Sequence, residues 1–210
     1  MNNKDFFKIV HKHFKYEIED LSEEILWFLC NIVDEAPIDL INNILEIKLL
    51  ETILANLYRE TFECSILSKT LLFILFFIQA SKKITLSDFI YFKIIDICFA
   101  YLYTKNDSVF KTCIEILVEL TDYGSNSIMN QIVKTGIIPK LMKFDKFLKD
   151  LNIEFTDINL NVHLTEYPKK VLILILKFFG NILADHEEYD FAEVNFKKQE
   201  ILFLKFSIKI

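Results

Sequence analysis

Trp27 and Asn31 are the residues of this sequence whose types and spacing best suit ligand binding. They lie four apart within Ser22–Asp34, so they share one face of a predicted helix with Glu24 and Asp34. The apolar residues of this helix recur at the spacing of one buried stripe on the opposite side: Ile25, Phe28, Leu29, Ile32 and Val33. An exposed indole beside carboxylates can bind the stem and head of a lysine or arginine. The simpler alternative is an aromatic side chain that half-covers a neighbouring helix.

The composition indicates that the protein is all-helical. The chain has 210 residues but only three glycines and three prolines, too few turn residues for a sheet of many strands. Although 52% of the residues are hydrophobic, no uncharged apolar run approaches the roughly 18 residues of a membrane span. The densest runs, Leu71–Ile78 and Val171–Leu176, are typical of core helices. We therefore expect no membrane partner and, because the first residues lack an uninterrupted apolar stretch, no signal peptide.

The net charge and the cysteine pattern indicate which partners and which cellular compartment to expect. A net charge of −6 argues against nucleic-acid binding, which needs clustered basic residues, and is compatible with basic partners. No C-x-x-C pair occurs, which favours buried, reduced thiols in a cytosolic or nuclear protein. The four cysteines are Cys30, Cys64, Cys98 and Cys113.

The sequence contains no constellation typical of an enzyme. His11 and His13 flank Lys12 without a cysteine cluster at ligand spacing, so we expect exposed histidines rather than a metal site. The segment around Gly124 is neither a phosphate loop nor a nucleophile elbow. We therefore expect no catalytic activity, no cofactor and no metal.

Four predicted helices look like copies of one another: Ser22–Asp34, Ser68–Ala80, Ser108–Asp122 and Lys169–Ala184. Their equivalent positions are Trp27, Phe73, Glu115 and Lys177, at steps of 46, 42 and 62 residues. Armadillo-type helical repeats run about 40–47 residues, so the last step contains an insertion. The predicted organisation is a single domain with a partial leading repeat at 1–20, repeats at 21–64, 65–104 and 105–145, an inserted loop at 146–167 and a last repeat at 168–210.

Shorter helices are predicted before and between these copies. They are Phe6–Phe14, Leu40–Leu45, Lys48–Arg59, Phe89–Tyr103, Asn126–Lys134 and Ile138–Phe144. Gly136 suits a left-handed residue that ends a helix, and Pro139 suits the first turn of the next one. Asp107 or Ser108 can cap the helix that runs to Asp122.

Four segments resemble the importin-α family of armadillo-repeat proteins. The segment 26–34, L-W-F-L-C-N-I-V-D, resembles the family's W-A-L-x-N-I-A-x-D helix, and 119–128, E-L-T-D-Y-G-S-N-S-I, resembles S-Y-L-S-D-G-x-N-x-x-I with one inserted residue. The segment 131–141, Q-I-V-K-T-G-I-I-P-K-L, is similar to V-V-x-x-G-V-V-P-x-L, and 176–185, L-K-F-F-G-N-I-L-A-D, is similar to L-R-A-V-G-N-I-V-T-G. Their order matches the third to sixth repeats of the family.

The resemblance implies a right-handed α-α superhelix that acts as a nuclear import adaptor in the cytoplasm and nucleus. Its cargo would be a lysine-rich nuclear localisation peptide. By resemblance, Trp27 covers a lysine stem and Asn31 holds the peptide backbone. Asp34 or Glu35 receives a lysine head. The remaining family positions fall in the last repeat, where Lys177 replaces a tryptophan and Asn181 matches an asparagine.

The middle repeats depart from the family pattern. Phe73 and Phe77 stand where the family has Trp and Asn, and they either offer weaker faces for a cation or lie buried. Glu115 and Glu119 replace Trp and Tyr. With Asp122 they either receive lysines or form an ordinary solvated face.

Two further functions stay open. An importin-β-like carrier is implied as a partner, but no basic segment like the family's N-terminal arm precedes Phe6–Phe14, which argues against it. The alternatives are a divergent armadillo scaffold for protein–protein interaction without an import role, and a structural subunit that docks through its apolar ends.

Overall fold

The computed structural model describes residues 3–15, 21–57, 64–83, 86–102, 104, 106–123, 125–142 and 166–184. Within these ranges the regular structure is entirely helical, which confirms the predicted all-α class. The α-helices are α1 Asn3–Lys15, α2 Ser22–Val33, α3 Ile38–Glu46, α4 Leu49–Asn56, α5 Cys64–Ala80, α6 Asp88–Tyr101, α7 Asp107–Tyr123, α8 Asn126–Lys134, α9 Ile137–Met142 and α10 Glu166–Ala184, and a short 3-10 helix spans Ser81–Lys83.

The chain forms two compact units, Met1–Tyr123 and Gly124–Ile210. Helices α1 to α7 belong to the first unit and α8 to α10 to the second. The predicted inserted loop lies outside the described residues except at its end, where Glu166 and Tyr167 begin α10.

Two series of helices build the first unit. In one, α2 packs against α5 and α5 against α7; in the other, α1 packs against α4 and α4 against α6. Further contacts join α1 to α3 and α6 to α7. The candidate residues of the first unit therefore lie on or directly beside three neighbouring helices, α2, α5 and α7.

Side-chain hydrogen bonds between helices reveal the repeat. Apart from a bond between His13 and Ser22, those described in the first unit join residues 39 to 44 positions apart. They are Lys4 with Glu46, His11 with Thr52, Cys30 with the Lys69 carbonyl, Asn56 with the Phe14 carbonyl, Gln79 with Glu119, and Tyr101 with the Leu57 carbonyl. A structural unit thus recurs about every 40 residues, as stacked helical repeats require.

Left-handed residues separate successive helices. Gly136 has φ 76° between α8 and α9, which confirms its predicted role, and Pro139 lies in the first turn of α9 as predicted. Lys48, at φ 58°, separates α3 from α4 in the same way. The chain can thus reverse between short helices with few glycines.

The start of α7 differs from its prediction. Asn106 Oδ1 accepts a hydrogen bond from the Val109 backbone N–H at 3.1 Å, so Asn106 is the capping residue rather than Asp107 or Ser108. The physical reason is register: the cap must lie three residues before an unpaired helical N–H, and α7 begins at Asp107.

The buried stripe of α2 is rotated from the predicted one. Its buried apolar residues are Leu26, Leu29, Cys30 and Val33. Phe28 is 44% exposed, and its ring lies against Phe6 of α1 with centroids 5.3 Å apart. Ile25 and Ile32 are only half-buried. The apolar side of this helix is wider than its core contact, so spacing alone places the stripe incorrectly.

Two predictions about buried and exposed groups were also wrong. His13 is 8% exposed, not solvated, because it packs beside Ser22 with Nε2 and Oγ 3.2 Å apart. Cys64 is exposed at the first residue of α5, whereas Cys30, Cys98 and Cys113 are buried as expected.

Candidate peptide-binding surface

Trp27 and Asn31 both face solvent, as the helix spacing predicts. The Trp27 side chain is 56% exposed, and Asn31 is exposed one turn later. Asn31 Nδ2 donates a hydrogen bond to the Trp27 backbone carbonyl at 3.0 Å. Because an amide has two N–H donors and an acceptor oxygen, one N–H and the oxygen remain suited to a peptide unit.

Trp27 lies on the side of α2 that borders α5. Cys30, one turn later on that side, has its thiol 3.7 Å from the Lys69 carbonyl oxygen of α5. Phe28, by contrast, points toward α1. The indole therefore lies at the boundary between two neighbouring helices, where an extended ligand could cross from one to the other.

The end of α2 is negative as well as aromatic. Asp34 and Glu35 follow the last helical residue and are exposed, and the last turn contains no basic residue. A helix C-terminus carries a partial negative charge, which adds to that of these carboxylates. A cation whose stem covered Trp27 would be attracted toward this end.

Phe73 and Phe77 cannot line a binding surface, so their prediction as peptide contacts was wrong. Both side chains are 0% exposed, and their ring centroids lie 5.9 Å apart in the core. Burial of large aromatic rings is favourable because it removes apolar area from water, which outweighs any weak cation contact at the surface.

A different stripe of α5 reaches the surface, and sequence reasoning missed it. Its half-buried residues recur at helical spacing and are Ser65, Ser68, Leu72, Phe76 and Gln79. Because the second half of α5 is apolar all round, hydrophobic periodicity could not single out this stripe. In that half Gln79, the only polar residue between Thr70 and Ser81, is the one available signal.

The acidic residues of α7 lie on the predicted polar face, but two already have partners. Lys111 Nζ lies 2.9 Å from Glu115 Oε1 within the same helix. Glu119 accepts a hydrogen bond from Gln79 Nε2 at 2.8 Å through Oε1, and Lys82 Nζ lies 3.1 Å from its Oε2. These pairs reduce the negative potential expected here, while Asp122 remains exposed.

Lys177 and Asn181 lie one turn apart on α10. Lys177 is exposed and Asn181 is half-buried. Both belong to the second compact unit, whereas the other candidates belong to the first. The structure therefore brings the α2 candidates to one surface, separates Phe73 and Phe77 from it, and leaves the α10 pair as a second surface.

In the described part of the chain, no group of three or more His, Cys, Asp or Glu side chains could hold a metal ion. No helix in it is both long and apolar enough to cross a membrane.

Crystal structures of two engineered proteins are similar to this chain. One matches with a TM-score of 0.60 and 15% identity over 85% of this chain and 62% of that one. The other matches with a TM-score of 0.58 and 14% identity over 97% of this chain and 48% of that one. This chain thus spans less than two thirds of either. No family model and no curated protein match the sequence. The likeness defines the class, an all-helical, repeat-like fold.

Proposed function

We propose that this chain is an armadillo-type adaptor, built as a right-handed superhelix, that binds lysine-rich peptides of the nuclear localisation type as importin-α does. The observation that carries the proposal is the exposed Trp27–Asn31 pair beside the negative end of α2. The recurrence of hydrogen bonds at 39 to 44 residues supports the repeat class, since armadillo-type repeats have about this length.

The proposed contact uses three groups at one helix end. The Trp27 ring covers a lysine stem, and its face attracts the ammonium group. The remaining N–H and the oxygen of Asn31 bind one peptide unit of an extended ligand. Asp34 and Glu35 receive the lysine head, helped by the negative end of α2.

The same surface predicts weak binding. Phe73 and Phe77 are in the core, and Glu115 and Glu119 already pair with cations of this chain. Because linked contacts raise affinity together, a surface with one complete Trp–Asn pair should bind a basic peptide less tightly than a full array. The proposed role implies residence in the cytoplasm and nucleus and cooperation with an importin-β-like carrier.

Intrinsic fluorescence provides a direct test, because Trp27 is the only tryptophan of the chain. A lysine-rich peptide that covers the exposed ring should shift its emission toward shorter wavelength, and the shift should weaken with added salt. A peptide of the same length with glutamine in place of each lysine is the matched ligand control.

Variants then locate the contact by anisotropy of a labelled lysine-rich peptide. Trp27→Ala should weaken binding about 2- to 30-fold, since a cation–π contact contributes about 0.5–2 kcal/mol. Asn31→Ala should also weaken it. Phe89→Ala is the matched control, because this aromatic is similarly exposed, at 60%, but stands on α6. Equal affinities for the Trp27, Asn31 and Phe89 variants would refute the proposal.

The second candidate is a divergent armadillo scaffold that binds another kind of protein without an import role. The burial of Phe73 and Phe77 favours it, because the middle repeat then lacks both groups through which importin-α binds a basic peptide. A stable protein partner whose binding does not depend on Trp27, together with no response to lysine-rich peptides, would support this candidate.

A further inference from the structure

Lys82 forms an ion pair with Glu119 of α7. It lies in the 3-10 helix directly after α5, and its Nζ is 3.1 Å from Glu119 Oε2. Gln79 Nε2 binds the other carboxylate oxygen at 2.8 Å. The end of α5 therefore provides Glu119 with one hydrogen bond, from Gln79, and one ion pair, with Lys82, while the buried Oε2 has no hydrogen-bond donor.

The two members of this ion pair differ in exposure. The Glu119 side chain is 17% exposed, whereas that of Lys82 is 35% exposed. A partly buried carboxylate interacts with a cation more strongly than one in open water. Lys82 can leave toward solvent on its flexible stem, but Glu119 must then find another cation or lose part of its stabilisation.

We propose that Lys82 is a built-in competitor that holds Glu119 until a lysine of the ligand displaces it. The inference rests on the proposed function and extends it to regulation of the α7 end of the same surface. Displacement exchanges one ammonium group for another at an unchanged carboxylate. A ligand lysine therefore gains less binding free energy at Glu119 than it would at an unpaired carboxylate. The affinity for a basic peptide then depends mainly on Trp27.

The distance between Trp27 and Glu119 determines which ligands should compete with Lys82. Helix α5 lies between α2 and α7, and packed helices are about 8–10 Å apart, so Trp27 and Glu119 should be separated by about 20 Å. An extended peptide covers this distance with about six residues. A peptide with two lysine clusters at this spacing can reach both sites, whereas a peptide of about three lysines reaches only Trp27.

The test compares these two peptides by anisotropy at low salt. Lys82→Met should raise the affinity for the two-cluster peptide about 2- to 5-fold, as expected for one partly exposed ion pair, and should leave the affinity for the short peptide unchanged. Adding Glu119→Gln to Lys82→Met should abolish the gain. Lys82→Arg keeps the cation and should bind like the unmodified protein.

Lys12→Met is the matched control, because Lys12 is exposed on α1 and its removal changes the net charge equally. The inference is wrong if the Lys82 and Lys12 variants gain equally, or if the short peptide gains as much as the long one. If binding depends on Trp27 but not on Lys82, the competitor role of Lys82 is refuted and the proposed function stands. If neither peptide binds the unmodified protein or the Lys82 variants, the proposed function fails as well.

Discussion

Asn56 Nδ2 donates a buried hydrogen bond to the Phe14 backbone carbonyl at 3.1 Å, and so joins the end of α4 to the last turn of α1. The last carbonyls of a helix have no intrahelical partner. The Tyr101 hydroxyl makes the equivalent bond to the Leu57 carbonyl at 2.9 Å, where α6 meets the end of α4. In the helix series α1, α4 and α6, hydrogen bonds between residues 42 and 44 positions apart thus join the helix ends.

Removal of the Asn56 amide should destabilise the protein. Asn56→Ala leaves the Phe14 carbonyl buried without this donor, which should lower the free energy of unfolding by about 1–3 kcal/mol. Urea unfolding followed by circular dichroism measures the change. Asn42→Ala is the control, since Asn42 is exposed on α3. Equal unfolding midpoints for the two variants would contradict a stabilising role for this bond.

His13 should make stability depend on pH. Burial lowers the pKa of His13 below its ordinary value of about 6.5, so the unfolded chain binds a proton more readily than the native one. This contribution is fully present above about pH 6.5 and is lost as the pH falls through that value toward the native pKa. The free energy of unfolding should therefore be smaller near pH 5.5 than near pH 7.5.

His13→Gln should remove part of this dependence. His11→Gln is the companion control, because His11 lies on the same helix and its Nε2 is 2.9 Å from Thr52 Oγ1. Unfolding curves at both pH values compare the variants. A pH dependence that survives His13→Gln unchanged would assign it to other groups.

Asn106 should stabilise α7 as its cap. Asn106→Ala removes the acceptor for the Val109 N–H and should lower the free energy of unfolding by about 1 kcal/mol. Ser108→Ala, two residues later on the exposed side of the helix, should have little effect. Thermal unfolding of both variants distinguishes the two positions, and a larger loss for the serine variant would restore the cap predicted from sequence.

Truncation of Phe73 should lower stability far more than truncation of Trp27. Phe73→Ala should lower the free energy of unfolding by about 3–5 kcal/mol, because it creates a cavity in the core. Trp27→Ala should leave stability nearly unchanged, since the ring is already 56% exposed, but should weaken peptide binding. Denaturant unfolding and anisotropy together check both expectations. A Phe73 variant that is fully stable would contradict the buried position of this ring.

The cysteines should react with a disulfide reagent at different rates. Cys64 is exposed and should react first. Burial raises the pKa of the Cys30 thiol to about 11, and burial likewise raises the pKa of the Cys98 thiol, which leaves little reactive thiolate at neutral pH. Cys64→Ser should therefore abolish the fast phase in the native protein, whereas a fast phase that persists would show that a second thiol is accessible.

The sequence was sufficient to predict most helices of the described chain. Helix α8 has the predicted bounds Asn126–Lys134, and the start of α2 at Ser22 was also correct. These elements depend on local periodicity and on turn residues such as Gly136, which one segment of sequence contains in full. The exposure of Trp27 was predictable for the same reason, because α2 has distinct polar and apolar sides.

Other features required the tertiary structure, because they depend on what surrounds a helix. The second half of α5 is apolar throughout, so only its contacts with α2 and α7 determine that Phe73 and Phe77 are buried while Phe76 reaches the surface. Similarly, the sequence identified Glu119 as an acidic surface residue, but its pairing with Lys82 depends on a contact between separate elements. Local spacing thus determined the helices and the exposed tryptophan, whereas packing between repeats decided which residues remain available to a ligand.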